Sequence, residues 1–173
     1  MVLRFLIRAS TAASLAIASA VLVFPFSVDA AHAIKSPSLS KMCGGSRMKL
    51  TCTPGSAQCK KTTLSLTTSD GKQSNPATPK GLDEYTAVGL ACTSSKDGAA
   101  YFLVEYGERP RGCEFCEWTA AYDVNGNLLT NNDPPILHDP QLPPLQQDYP
   151  NNKELNALFE KLGLKRAATD YLR

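Results

Sequence analysis

Histidine is nearly missing from this chain. Of the two present, His32 falls in an N-terminal leader, which leaves His138 as the sole histidine for acid–base work. It stands in a Pro-rich stretch beside Asp139, where it reads as a solvated surface residue. Ser-His-Asp or Cys-His catalysis would have to be built on it there. Glycine-rich phosphate motifs are missing, and so are aromatics interleaved on a basic face. Lys and Arg number 18 against 16 Asp and Glu, a net charge of +2 with both signs interspersed. That balance argues against strong attraction to nucleic acid or anionic lipid. No internal repeat of fixed period is present, and no cofactor is expected.

Uncharged residues run on at length in one place only, from Ala9 to Val28. Arg4 and Arg8 precede the run and Ala31-His32-Ala33 closes it, the pattern of a cleavable signal peptide spanning residues 1–33. A membrane anchor is the rival reading, because about 20 residues suffice to cross a bilayer. Pro25, the many Ala and Ser residues and the small-x-small terminus favour cleavage. Cys43 follows Ser-Lys-Met, which does not suit a lipoprotein signal, so a product without stable membrane insertion is expected. Cleavage leaves about 140 residues, enough for one domain with one core.

Six cysteines follow the leader: Cys43, Cys52, Cys59, Cys92, Cys113 and Cys116. An even number in an oxidising compartment is a disulfide framework first and a metal site second. Cys52 and Cys59 are too far apart in sequence for common zinc spacing, so no metal is expected. They should pair with each other across the Pro54-Gly55 turn. Cys113-Glu-Phe-Cys116 matches a thiol-redox motif, but strand-type residues follow it where such enzymes place a helix. On an extended strand the two would lie about 10 Å apart, too far for direct bonding. Either a turn at Glu114-Phe115 closes the pair or Cys116 faces inward, and Cys92–Cys116 is the preferred reading.

Residues 34–42 are polar and contain Pro37, and they read as a flexible N-terminus ahead of a domain at 43–173. Met48–Cys52 and Thr62–Thr68 look like strands, whereas Ser69–Asp83 looks like a long exposed loop. Thr86–Cys92 and Phe102–Tyr106 alternate about an Asp97-Gly98 turn and form a hairpin. A second hairpin should run from Cys116, Trp118, Ala120 and Tyr122 through Asn125-Gly126, both at positive φ, to Leu128-Leu129-Thr130. Asn131–Pro150 reads as irregular surface chain. A helix over 151–163 follows, capped by Asn151 and Glu154, with Leu155, Leu158, Phe159 and Leu162 as its apolar stripe and Gly163 as its stop. The fold expected is mainly β (α+β): a small antiparallel sheet or sandwich of hairpins, disulfide-stabilised, with one C-terminal helix on an apolar face.

Candidate sites are few. Asp83, Glu84, Glu105, Glu108, Glu114 and Glu117 offer carboxylates for glycosidase chemistry, but no spacing singles out a pair. Trp118, Tyr122, Phe102 and Tyr106 at strand spacing read as core rather than as a ligand platform. Glu108, Arg109 and Arg111 lie in a loop restrained by Pro110 and Gly112, a way to present donors to a carboxylate or phosphate, with a solvated turn as the plainer reading. The expectation is a periplasmic or extracellular binding protein, an inhibitor or immunity protein acting on a peptidoglycan hydrolase or secreted toxin. The alternatives are a secreted thiol oxidoreductase or hydrolase, and a structural or assembly factor of the cell envelope.

Overall fold

A computed structural model describes residues 36–108 and 117–173; the leader and the segment 109–116, with Arg109, Arg111, Cys113 and Cys116, lie outside the described residues. Period-two alternation builds the first sheet. In β2 (Ser46–Cys52), Met48, Leu50 and Cys52 are buried while Arg47 and Lys49 point to solvent. β2 pairs on one side with β1 (Ser38–Cys43) and on the other with β3 (Thr62–Thr67), which is followed by the two-residue β4 (Gln73–Ser74). The order is β1-β2-β3-β4, all antiparallel. β1 corrects the expectation of a flexible 34–42 segment. Its Ser- and Lys-rich sequence hides the alternation, yet Cys43 is buried, and Lys41 reaches Asp170 at 2.6 Å. The β1–β2 turn needs Gly44. Its φ is 55°, and a Cβ there would stand 2.7 Å from Val124 Cγ1 and 2.9 Å from Ala100 Cβ.

The second sheet is ordered β10-β5-β6-β7, with β5 at Thr86–Ser94, β6 at Ala100–Gly107, β7 at Trp118–Asp123 and β10 at Asp170–Tyr171. The expected β5–β6 hairpin is present, with a register shift between Ala87 and Gly89. The bulge brings Gly89 against the C-terminal chain, where a Cβ would sit 2.6 Å from Thr169 Cγ2 and 3.2 Å from the Asp170 carbonyl oxygen. The turn after β7 differs from the expectation. Gly126 has φ 86° but Asn125 is not at positive φ, and the Asp123 carboxylate instead accepts from the backbone N–H of Asn125 at 2.8 Å and of Asn127 at 2.9 Å. This Asx-type clasp replaces the mirror-image turn. The returning chain makes one bridge, Leu128 to Tyr122, and no strand.

The two sheets pack face to face. Met48, Leu50 and Leu66 of the first meet Leu90, Phe102, Val104, Trp118, Ala120 and Tyr122 of the second in one buried cluster. The opposite face of the second sheet, through Ala91, Leu103 and Ala121, is covered by α1 (Lys153–Leu162). The layers are therefore sheet, sheet and helix. β5 lies in the middle, which is why nearly all its residues are buried and its alternation is between sizes rather than polarities.

Of the helical stripe, Leu155 is buried whereas Leu158 and Phe159 are half-buried against the same cluster. Gly163 ends the helix at φ 58°, with its N–H on Glu160 and that of Leu164 on Phe159, a Schellman motif. The capping box does not close. Asn151 Oδ1 accepts from the Lys153 N–H at 3.3 Å, but Glu154 accepts from the Asn131 N–H at 2.7 Å, tying the helix to the preceding loop.

Cys52–Cys59 forms as expected. Cys92, however, bonds Cys43 with Cα atoms 5.4 Å apart, which corrects the Cys92–Cys116 pairing. The physical reason is β1: once Ser38–Cys43 becomes a strand, its last residue faces β5 across the sandwich. No cysteine among the described residues is free. Two stretches read as irregular are also partly ordered. Leu82 in the 69–83 loop is fully buried. Within 131–150, β8 (Ile136–His138) pairs with β9 (Asp148–Pro150) as a separate antiparallel hairpin.

Candidate functional site

Among the places on this frame that carry chemistry-bearing residues are the base of the β6–β7 connection and the β8–β9 hairpin. Glu108 follows the end of β6 and is exposed; Arg109 and Arg111, expected beside it in partner binding, are outside the described residues. Of the six carboxylates, the structure brings together Glu105 and Glu117. Glu105 faces Thr119 in the β6–β7 register, and the Thr119 hydroxyl donates to Glu105 Oε2 at 2.8 Å. The Thr169 hydroxyl donates to Oε1 at 3.4 Å, and the Tyr171 hydroxyl donates to Glu117 at 2.9 Å.

Burial pushes the Glu105 carboxyl above the usual range; the threonine hydroxyl bonds oppose this, while the nearby Glu117 charge adds to it. A signal for this lay in the sequence, because Glu105 continues the face of Leu103, which packs toward α1. Thr169 and Tyr171 close over the pair, so its evident work is to seat the C-terminal strand. Asp83 and Glu84 stand elsewhere, beside Lys60 and Lys61 in a groove of about 520 Å³. Glu114 lies outside the described residues.

His138 sits on β8 with Nδ1 2.8 Å from Asp148 Oδ1, both side chains about half exposed. It is a cross-strand surface pair rather than an irregular loop residue. Phe102, Tyr106, Trp118 and Tyr122 are buried, and Trp118 packs against Tyr85 in a tilted arrangement with ring centroids 4.2 Å apart. Among the described residues, no three of His, Cys, Asp and Glu gather as metal ligands would.

The β8–β9 hairpin is the more informative of the two places. Its foot is pinned: Trp118 Nε1 donates to the Pro135 carbonyl at 2.6 Å, and Asn151 donates to Pro135 and Pro134 at 2.8 Å each. The tip, residues 139–147, is tied to itself. Asp139 N–H bonds Gln147 O, Leu142 N–H bonds Asp139 O, and Gln146 N–H bonds Pro143 O. The Gln147 amide crosses inside the tip to the carbonyls of Pro140 and Leu142. Pro140, Pro143 and Pro144 restrict the backbone further. On this framework Leu145 is 87 % exposed, and Leu142, two prolines before it, is 37 % exposed. Sequence reading missed this presentation because Pro-rich polar chain carries no strand period. No known family model, curated protein or solved structure matches the chain.

Proposed function

We propose that this chain is an exported binding protein, an inhibitor or immunity protein that occupies the cleft of a cell-wall-degrading enzyme or toxin. The observation that carries the reading is the β8–β9 hairpin. A large apolar side chain held 87 % in solvent on an internally hydrogen-bonded, proline-restricted tip has already met most of the ordering cost of binding. Such a convex anchor fits a concave apolar pocket on a partner. The sandwich behind it, stapled by Cys43–Cys92 and Cys52–Cys59, supplies rigidity. Those disulfides and the leader support an oxidising destination, the periplasm in the first instance.

The test is inhibition of a panel of secreted muramidases, amidases and toxins assayed on cell-wall suspensions. At least one member should be inhibited, and Leu145→Asp should relieve the inhibition while the melting temperature stays put. Failure to inhibit any member, or inhibition indifferent to Leu145→Asp, removes the reading.

A further inference from the structure

The outward face of the first sheet carries a second feature, which shares no residue with the hairpin. Arg47 and Lys49 alternate with buried Met48 and Leu50, so both cations leave β2 on the same, solvent side. Their neighbours across the register are Thr67 and Ser65 on β3. Gln73 and Ser74 of β4 and the following Asn75 continue the surface, and together these residues line a cleft of about 510 Å³. That volume lies within the range of small-molecule sites.

Among the described residues, no acidic one lines the cleft, and neither Arg47 nor Lys49 forms an ion pair. Arg47 is oriented, however: its Nε–H donates to the Met42 sulfur at 3.3 Å. This bond uses one donor and leaves the terminal guanidinium nitrogens for a bidentate contact with an oxyanion. Lys49 adds a second charge on the same face. The Ser65 hydroxyl turns back to the Lys49 carbonyl at 3.4 Å, which leaves its oxygen able to accept.

The rest of the lining decides what carries the anion. Ser65, Thr67, Gln73, Ser74 and Asn75 offer hydroxyls and amides that both donate and accept, whereas Leu66 is the single apolar lining residue. An acidic peptide would want apolar pockets for its side chains, and the cleft has none of that character. Vicinal hydroxyls match it. We infer that the Arg47–Lys49 cleft binds an anionic saccharide, a sugar bearing a carboxylate or a phosphate.

The experiment is an NMR or calorimetric titration of the oxidised protein with four probes: trigalacturonate, glucose 6-phosphate, maltotriose and inorganic phosphate. Saturable binding is expected for at least one of the two anionic sugars, weakening as salt rises, with maltotriose and inorganic phosphate at least tenfold weaker. Which anionic sugar binds identifies carboxylate or phosphate as the recognised group. The exposed double substitution Arg47→Ala with Lys49→Ala should reduce that binding at least tenfold with unchanged circular dichroism, while Leu145→Asp should not alter it. Absence of saturable binding to both anionic sugars, equal binding of maltotriose or of inorganic phosphate, or binding that survives the double substitution overturns the inference. None of these results depends on whether an enzyme is inhibited.

Discussion

Tyr106 and Tyr122 meet hydroxyl to hydroxyl at 2.7 Å inside the sandwich. Tyr122 also donates to the Ala77 carbonyl at 2.7 Å, so its proton is committed and Tyr106 must be the donor between the two. The result is a one-way chain from Tyr106 to Tyr122 to Ala77, fixing the 69–83 loop to β7. Tyr122→Phe breaks both links and strands a buried Tyr106 donor, whereas Tyr106→Phe leaves the Tyr122–Ala77 bond intact. Urea denaturation should show a cost of about 1–3 kcal/mol for the former and less for the latter.

The same pair sets an alkaline limit. Burial pushes the Tyr106 hydroxyl up to about 12 and the Tyr122 hydroxyl higher still. A phenol whose folded pKa is raised holds its proton more tightly folded than unfolded, so stability is full below pH 10 and falls as pH rises from there through about 12. Absorbance at 295 nm should show these two phenols ionising only as the protein unfolds.

Glu105 works in the same direction at the acid end. Its carboxyl is raised mainly by burial, so its contribution is full below the ordinary carboxyl range and is lost as pH climbs above it. Glu105→Gln keeps a neutral group that both threonine hydroxyls can bond. The variant should melt higher than the parent at pH 7, and the difference should vanish on acidification to about pH 3.5, below the ordinary carboxyl value.

The two disulfides should differ in worth. Cys43 and Cys92 are 49 residues apart and join the two sheets, whereas Cys52 and Cys59 are 7 apart and close a local turn. Loop entropy gives about 4 kcal/mol for the first and about 2 kcal/mol for the second. Denaturation of the paired Cys→Ala variants should rank them in that order; equal losses would mean that the sheets hold together without the cross-link.

Within the helix, depth rather than size decides. Leu155→Ala should cost about 2–3 kcal/mol, because that side chain alone of the stripe is buried. Phe159 is half-buried, and its truncation should cost less than that of a core aromatic. Leu145→Asp on the hairpin tip should stay within about 0.5 kcal/mol. Thermal melts of the three variants check the series.

Local signals determined much of this protein without any tertiary contact. The alternation of Met48–Cys52 and Phe102–Tyr106, the Asp97-Gly98 turn, the Leu155–Leu162 stripe and Gly163 are short-range patterns imposed by backbone geometry, and each element stands where they put it. The Cys52–Cys59 bond follows for the same reason, since a seven-residue loop leaves few alternatives. What only the tertiary structure decided involves residues whose partners are distant in sequence. Ser38–Cys43 became a strand because β2 offered a ladder and Cys92 a thiol across the sandwich. Ile136–His138 and Asp148–Pro150 became a hairpin with its foot on Trp118 and Asn151. Glu105 was set apart from the other described carboxylates by burial, which no spacing encodes, and Arg47 and Lys49 gained meaning when β3 and β4 closed a cleft around them. Local propensity acts over a few residues, whereas burial and complementarity depend on which surfaces the folded chain brings together.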